Sequence, residues 1–401
     1  MRLLVLDNRQ DLESELTRVG ADRASWDIFC HKHQSLAVKV DDLSLAGANI
    51  LKQTALSIGA DCAVNFGVVS GKARRTAAVL FVTRRQLEML PARLREQPKC
   101  VARLGPGLEA LSSRLFASDH VARFGRNRVD LSARSHVMGI LNVTPDSFYD
   151  GGRHFEPEAA AARAVEMQEQ GADFIDIGAE STRPGSEPVS AKEQLARILP
   201  VMKLVRRQVK VPISVDTTSA RVAEQVLDAG AKMVNDISGL AFDRRMAKVV
   251  ARAGVPCAVM HIRGRPKTMQ RRPEYQDLMA DVIAGLEAAL ERGEKAGVRR
   301  EQMIVDPGIG FGKTAGHNLE ILRRLGELRT LGRPILVGPS RKSFLGKVLG
   351  LGPERRLEGS LAACVLAARH GAGILRVHDV EQAVRALRVA DAVSGRPGEG
   401  G

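Results

Sequence analysis

Aromatic residues are scarce in this chain of 401 residues, which has one Trp and two Tyr within an aromatic content of 3%. The hydrophobic cores must therefore be built from Val, Leu, Ile and Ala, within an ordinary hydrophobic content of 44%. The basic residues have no aromatic residues interleaved with them and form no dense tail, so the pattern typical of nucleic-acid binding is missing. We expect no nucleic-acid partner.

Cysteine pairs and long apolar runs are also missing. No run approaches the roughly 20 apolar residues that a membrane span needs, and the N-terminal segment 1–7 turns acidic too early for a signal peptide. The cysteines are dispersed without paired spacing, which suits a reducing cytosol. They are Cys30, Cys62, Cys100, Cys257 and Cys364. These absences predict a cytoplasmic, disulfide-free protein with no membrane partner.

Acidic residues are too few to balance the basic ones, and the formal net charge is +14. With nucleic acid and membranes set aside, the positive field fits anionic small-molecule substrates best. A genome rich in Arg codons would give the same bias without functional meaning, so charge alone does not identify the ligand.

The last two-thirds of the chain contains a series of short apolar strands, each ending in a polar or glycine residue suited to chemistry. The predicted strands are 138–142, 174–178, 212–216, 233–236, 257–261, 303–306, 334–338 and 374–378. A parallel barrel gathers the carboxyl ends of such strands at one face, where active sites of this architecture lie. The sequence therefore points to a site as well as to a fold.

Helices alternate with these strands, and several end at a glycine that is closely followed by the next strand, as at Gly171, Gly230 and Gly254. Residues 134–394 are therefore predicted to form an α/β fold, a (β/α)8 TIM barrel. A doubly wound open sheet is the alternative, but eight consecutive parallel units favour closure.

Residues 1–120 are predicted to form a small α/β or α+β N-terminal domain, whose role the sequence does not indicate. Its predicted strands are 3–6, 36–40, 62–69 and 77–82, and its predicted helices are 45–58 and 84–96. The run from Cys30 to His33 is more typical of a surface turn than of a metal site, because no partner cluster lies nearby in sequence. We interpret 121–133 as a linker and 395–401 as a flexible C-terminal tail.

Two loops after the first two barrel strands are rich in oxygen donors. Asn142, Asp146 and Asp150 supply hard oxygen ligands in the first loop, which suits Mg²⁺ carried by a substrate phosphate. The second loop, 180–187, combines hydroxyls with Arg183 as anion recognition requires. The alternative interpretation of the first loop is an ordinary βα loop. The second loop taken alone is only weak evidence for an anion site.

Asp216, Asn235 and Asp306 end three of the predicted strands. Carboxylates and amides directed into a barrel mouth can bind the donor and acceptor edge of a flat heterocycle. The alternative is that they cap the helices that follow, because Asp and Asn are favoured N-caps.

A basic cluster follows the last two strands. Lys342 lies between Arg341 and Ser343, while Arg376 and His378 are on and at the end of the eighth strand. Loops after strands seven and eight commonly form the phosphate site of such barrels, so the cluster predicts phosphate or diphosphate binding; a solvated charge run is the alternative. The glycine pattern 308–312 follows the sixth strand, where neither a dinucleotide fingerprint nor a P-loop is expected.

These segments together resemble the dihydropteroate synthases, over essentially all of 134–394 and in the same order. The matching motifs are Leu141-Asn-Val-Thr-Pro-Asp-Ser-Phe-Tyr-Asp-Gly-Gly152, Asp176-Ile-Gly-Ala-Glu-Ser-Thr-Arg-Pro-Gly185, Ser214-Val-Asp216, Val234-Asn-Asp-Ile237, Met260-His261, Pro266-Lys-Thr-Met-Gln270, Asp306-Pro-Gly-Ile-Gly-Phe-Gly-Lys313, Ser340-Arg-Lys-Ser343 and Arg376-Val-His-Asp379. The N-terminal domain lies outside the resemblance. Tyr149 stands where a small residue is common, which puts no catalytic group in doubt.

The resemblance implies residue roles. The pterin would be held by Asp216, Asn235, Ile237, Met260, Asp306, Gly310, Phe311 and Lys342. The diphosphate would be bound by Asn142, Arg376 and His378, with Mg²⁺ at Asn142. The 4-aminobenzoate site would consist of Phe148, Thr182, Arg183, Pro184 and Ser343. The catalytic groups would be Asp146, Asp150, Asp216 and Lys342.

The resemblance also implies the reaction, in which 6-hydroxymethyl-7,8-dihydropterin diphosphate and 4-aminobenzoate give 7,8-dihydropteroate and pyrophosphate. Both substrates are small molecules, and the family suggests a homodimer. Two alternatives are a pterin-dependent methyltransferase domain and a non-catalytic scaffold. The basic cluster and the second loop argue against the first, and the presence of every expected catalytic group argues against the second.

Overall fold

The computed structural model describes residues 2–6, 8–68, 70–71, 75–117, 120–144, 156–180, 186–271 and 273–396. The chain divides into two compact units, Met1–Ala117 and Ser118–Gly401.

The N-terminal unit combines a three-stranded sheet with helices. Its elements are α1 (Arg9–Arg18), α2 (Trp26–Cys30), β1 (Ser35–Ser44), α3 (Leu45–Ser57), β2 (Asp61–Val64), β3 (Arg75–Thr83), α4 (Arg84–Arg95), α5 (Lys99–Ala102) and α6 (Gly105–Leu115). The strand order is β1-β3-β2, with both pairings antiparallel. Alternate strand residues such as Val38 and Leu80 are buried in one core with Leu51 of α3 and Leu87 of α4.

The prediction of a strand at 3–6 is wrong. Residues 2–6 form no strand, and Leu3 is 91% exposed. An apolar run becomes a strand only if a neighbouring strand accepts its hydrogen bonds, and the sheet gives this segment no such neighbour.

The second unit is built on eight parallel strands that alternate with helices. Its elements are β4 (Val121–Phe124), β5 (Asn127–Asp130), β6 (His136–Asn142), α7 (Pro157–Glu169), β7 (Phe174–Gly178), α8 (Ala191–Gln208), β8 (Ile213–Asp216), α9 (Ala220–Asp228), β9 (Met233–Asp236), α10 (Met246–Ala253), β10 (Cys257–Met260), α11 (Leu278–Lys295), β11 (Met303–Asp306), α12 (Ala315–Arg323), β12 (Ile335–Val337), α13 (Ser343–Leu349), α14 (Leu357–Arg369), β13 (Ala372–Val377) and α15 (Val380–Val393).

Strands β6 to β13 close into a barrel in sequence order, since β13 pairs with β6 and β9 pairs with β10. This confirms the predicted (β/α)8 barrel. The main core lies between the strands and the surrounding helices and includes Ile175, Val215, Ile198 and Val226. Gly254 ends α10 in the left-handed conformation, at φ +65°, as the glycine at that joint predicts. Among the described residues, no helix combines the length and apolar character needed to cross a membrane.

The segment 121–133 contains a β-hairpin, which corrects its interpretation as a linker. Strands β4 and β5 pair in antiparallel register, and Phe124 packs its ring on Phe174 at the start of β7, with centroids 4.8 Å apart. Ala122, Phe124 and Leu131 share a core with residues at the starts of the barrel strands, including Met138 and Ile374. The hairpin therefore closes the amino-terminal end of the barrel, which leaves the opposite end as the mouth.

Candidate active site in the barrel mouth

Polar side chains at the carboxyl ends of the strands lie in the barrel mouth. Asp216 ends β8 and is in register with Asn235 of β9, and Asp306 ends β11. None of the three caps the next helix, because the N-cap positions belong to Ser219, Arg245 and Thr314. The capping alternative is therefore excluded for these residues.

Arg376 on β13 is the cation at the centre of this group. Its Nε donates to Asp176 Oδ2 at 2.6 Å, and one terminal nitrogen donates to Asp216 Oδ2 at 2.8 Å. Only 17% of the Arg376 side chain is exposed, so these ion pairs operate with little solvent screening. Burial lowers the pKa of Arg376, but the two carboxylates outweigh it and the net shift is upward.

Asp176 is a site residue that sequence reasoning missed. It lies inside β7, is fully buried, and accepts a second hydrogen bond from Asn235 Nδ2 at 3.0 Å. The signal was available, because a carboxylate in the middle of a buried apolar strand needs a charged or polar partner. The sequence by itself does not show which residue is that partner.

Three ionisable groups of the mouth, Asp216, Asp306 and Lys342, have pKa values shifted toward neutral pH. Burial raises the pKa of Asp216 to about 7, although Arg376 acts in the opposite direction. Burial likewise raises the pKa of Asp306 to about 6. The pKa of Lys342 falls to about 8, through burial first and the nearby Arg376 second. Such shifts are typical of functional sites, and these groups can change charge near neutral pH.

An apolar wall borders the polar group. Ile237, Met260, Met269 and Phe311 form one buried cluster. Met269 lies in one of the matching motifs, but the resemblance implies no role for it. Lys342 places its Nζ 4.2 Å from the centroid of the Phe311 ring, a cation–π contact. A flat heterocycle can therefore lie against apolar side chains while its edge meets carboxylates.

Three glycines shape the loop after β11. Gly308, Gly310 and Gly312 have φ values of +69°, +84° and +62°. A Cβ on Gly308 would lie 2.1 Å from the carbonyl oxygen of His261, so only glycine allows this loop to lie against the end of β10. The glycine pattern thus serves loop packing at the mouth.

Lys313 stabilises the loop after β11 through hydrogen bonds. Its Nζ lies 3.1 Å from the carbonyl oxygen of Phe311, 3.2 Å from that of His261 and 3.0 Å from His261 Nδ1. Burial lowers the pKa of His261 to about 3, so its imidazole is neutral and Nδ1 accepts from the lysine. The loop that carries Phe311 is therefore tied to the end of β10.

His378 is a neutral hydrogen-bond donor. Burial, followed by Arg376, lowers its pKa to about 4. Ser340 Oγ accepts the backbone N–H of His378 at 3.2 Å and lies 3.1 Å from Nδ1. When the serine hydroxyl donates to Nδ1, the proton of the neutral ring is on Nε2, where it can be donated to an anion.

Arg341 and Ser343, the other members of the predicted basic cluster, are exposed. Arg341, at φ +55°, forms a bidentate ion pair with Asp379, so its charge is already paired. Ser343 begins α13 and is exposed. Asp146, Phe148, Asp150, Thr182, Arg183 and Pro184 lie outside the described residues.

Asn142 ends β6 and is half-buried, and its Cα is in register with Gly178 of β7. Within the described part of the chain, no three His, Cys, Asp or Glu side chains converge as a metal site, and this includes the run from Cys30 to His33. His33 Nδ1 instead donates to the carbonyl oxygen of Cys30 at 3.0 Å. A single amide oxygen at Asn142 fits Mg²⁺ that takes most of its ligands from substrate phosphate and water.

Comparison with known proteins agrees with this geometry. The family model of pterin-binding enzymes matches residues 138–378. Dihydropteroate synthase from Synechocystis is 49% identical over 270 residues, covering 67% of this chain and 93% of that protein. The structure of Xanthomonas albilineans dihydropteroate synthase with 4-aminobenzoic acid is similar, with a TM-score of 0.65 and 41% identity, and covers 70% of this chain and all of that one.

A third relative extends beyond the barrel. The Halobacterium salinarum protein named "probable bifunctional folylpolyglutamate synthase/dihydropteroate synthase" is 43% identical over 346 residues, covering 86% of this chain and 41% of that protein. A match of that length exceeds the Ser118–Gly401 unit, so it includes part of the N-terminal unit as well.

Proposed function

Because this chain belongs to the pterin-binding enzymes, and among them to the dihydropteroate synthases, we propose that it condenses 6-hydroxymethyl-7,8-dihydropterin diphosphate with 4-aminobenzoate. The products are 7,8-dihydropteroate and pyrophosphate. The observation that carries the proposal is the meeting of acceptors and cations in one mouth, where Asp216 and Asp306 lie beside Arg376 and Lys342.

The acceptors suit the pterin ring. Asp216, Asn235 and Asp306 would accept hydrogen bonds from its N–H and amino groups. Ile237, Met260 and Phe311 form the apolar wall that would cover one ring face. Gly310 leaves the space in which Lys342 lies, since a Cβ there would come within 3.1 Å of Lys342 Cδ. A ring of this kind would be bound by shape and by hydrogen bonding together.

The cations suit the leaving group. Arg376 has N–H groups beyond the two that contact carboxylates, and with the Nε2–H of His378 they would bind the diphosphate. Mg²⁺, held at Asn142 through the substrate, would add positive charge that stabilises the departing oxygens. The bond between the methylene carbon and oxygen breaks, and pyrophosphate leaves with the electron pair.

Departure leaves positive charge on the methylene carbon, spread into the ring. The ionised carboxylate of Asp216 would stabilise this charge, and we assign Asp146 and Asp150 to the same step. Such prearranged electrostatic stabilisation usually contributes more to catalysis than any other single effect. The amine of 4-aminobenzoate then attacks the carbon and loses its proton to water. We assign its binding to Phe148, Thr182, Arg183, Pro184 and Ser343.

Pyrophosphate release from the dihydropterin diphosphate by the purified chain, measured with and without 4-aminobenzoate and Mg²⁺, tests the function. We expect Mg²⁺-dependent release and formation of dihydropteroate when the amine is present. Pterin binding without any release would instead favour a methyltransferase-like domain or a scaffold.

We also propose that the chain is a homodimer through the outer helices of its barrel. Leu319 of α12, Val348 and Leu349 of α13, and Leu366 of α14 are all between 42% and 59% exposed, and these three helices pack against one another. Exposed apolar residues on neighbouring helices are typical of an interface. Sedimentation of the purified chain as a monomer would contradict this.

We place the enzyme in the cytoplasm because all five cysteines are free and three of them, Cys62, Cys257 and Cys364, are buried. Free buried thiols are the rule where the surroundings are reducing. Localisation of the tagged chain in cell fractions tests this.

A further inference from the structure

Asp176 joins two elements that lie on opposite sides of its own strand. It is on β7, in register with Ile140 of β6 and Ser214 of β8. Its partners come from further away, since Arg376 is on β13 and Asn235 is on β9. In the barrel order β13-β6-β7-β8-β9, each partner strand is two places from β7. One carboxylate therefore links both sides of the mouth.

The contact with Asp176 determines which end of the Asn235 amide faces the site. A carboxylate beside a guanidinium accepts hydrogen bonds only, so the atom 3.0 Å from Asp176 Oδ2 must be the amide nitrogen of Asn235. The carbonyl oxygen of Asn235 is then directed away from Asp176 and is available as an acceptor. Asn235 can therefore serve as a third acceptor with Asp216 and Asp306, which matches the donors of a pterin edge.

The same oxygen of Asp176 orients Arg376. It accepts from Nε at 2.6 Å while Asp216 accepts from a terminal nitrogen at 2.8 Å. Two contacts on a planar guanidinium fix both its position and its plane. The other N–H groups are left for an anion.

We propose that Asp176 is a positioning residue, which aligns Arg376 for the diphosphate and turns the acceptor of Asn235 toward the pterin. The inference rests on the proposed function. Asp176 touches neither substrate and acts through the two side chains that do.

A purely structural role for Asp176 explains the geometry less well. Buried ion pairs contribute little net stability, because the cost of removing two charges from water offsets their attraction. Both partners of Asp176 use Oδ2, whereas Oδ1 is buried without a hydrogen-bond partner, as is the hydroxyl of Ser214 on the neighbouring strand. The one oxygen that is used joins the two side chains assigned to the substrates.

Asp176→Asn tests the proposal, because it keeps the size of the side chain and one acceptor oxygen but removes the charge. We expect kcat/KM for the pterin diphosphate to fall by about 10–100-fold, the usual effect of losing a residue that orients a ligand. KM for 4-aminobenzoate should not change. Ser214→Ala is the matched control, since Ser214 is equally buried, lies in register with Asp176 and has no place in the proposed machinery.

Binding measurements separate this proposal from the reaction itself. Calorimetry with inorganic pyrophosphate plus Mg²⁺, and separately with 6-hydroxymethylpterin, needs no turnover. Asp176→Asn should weaken the binding of both probes, and Ser214→Ala should weaken the binding of neither. Binding of both probes by Asp176→Asn as tightly as by the unaltered enzyme would overturn the proposal, as would equal losses in the control. If the Asn variant does not fold, Asp176→Ser replaces it under the same criteria, because water can fill the smaller space.

If the unaltered enzyme binds both probes but forms no dihydropteroate, the proposed function fails while Asp176 remains testable. Weaker probe binding by the Asn variant would then still support the positioning role.

Discussion

Asp216 and Lys342 are two of the titratable residues assigned to catalysis, and burial favours the neutral form of each. The pKa of Asp216 is raised to about 7 and that of Lys342 is lowered to about 8. Both are charged together only in a narrow range of pH. At the scale of the residue, the site is therefore tuned to work near neutrality.

The pH dependence of kcat/KM should reflect these two groups, since this parameter reports ionisation in the free enzyme. It should fall below about pH 7, as Asp216 gains a proton, and above about pH 8, as Lys342 loses one. In Lys342→Arg the guanidinium stays protonated, so the fall on the basic side should disappear. Measurements of kcat/KM from pH 6 to 10 would check this. An unchanged fall of kcat/KM at high pH in the Arg variant would exclude Lys342 as the cause of that fall.

At the scale of the element, Lys313 fastens the loop between β11 and α12 to the end of β10. Its pKa is lowered to about 7 by burial, against 10.5 when unperturbed. Its three contacts, two with carbonyl oxygens and one with His261 Nδ1, nevertheless hold the loop that positions Phe311. One buried lysine therefore contributes to the geometry of the pterin wall.

Lys313→Met should destabilise the fold by about 1–3 kcal/mol, because it leaves buried acceptors without a donor. Between pH 7 and 10.5 the unfolded chain binds more protons at Lys313 than the folded one, so this lysine makes stability rise with pH. The deficit of the Met variant should therefore grow from pH 7 to pH 9. Denaturant unfolding at both pH values measures it, with Lys347→Met on the exposed surface of α13 as the control. Equal deficits at the two pH values would contradict the assigned pKa.

At the scale of the whole molecule, the β4–β5 hairpin belongs to the barrel unit. Phe124 is 2% exposed and packs among the first residues of the barrel strands. The compact barrel unit therefore includes a segment that precedes its first strand and begins before residue 134.

Phe124→Ala should lower the stability of the barrel by about 3–5 kcal/mol, the range for removing a buried Phe side chain. Phe66→Ala is the control, since Phe66 is 88% exposed. A chain that begins at Ser118 should melt like the barrel of the full protein, while one that begins at Arg134 should melt lower. Equal melting temperatures of the two shortened chains would show that the hairpin is dispensable.

The sequence by itself determined the barrel, the family and the reaction class. Eight apolar strands with polar ends form a local pattern. The sequence shows this pattern because the alternation of side chains along a strand, and the residue type at its end, depend on residues close together in the chain. The predicted fold and family are confirmed. The assigned site residues stay predictions, and six of them lie outside the described residues.

Only the tertiary structure decided which charges meet. Asp176 and Arg376 are 200 positions apart, and no local pattern specifies that they pair. Burial, which raises the pKa of Asp216 and lowers those of Lys342 and Lys313, is likewise a property of the closed barrel. The predicted strand at 3–6 failed for the same physical reason, because a strand exists only through a partner that its own sequence does not contain.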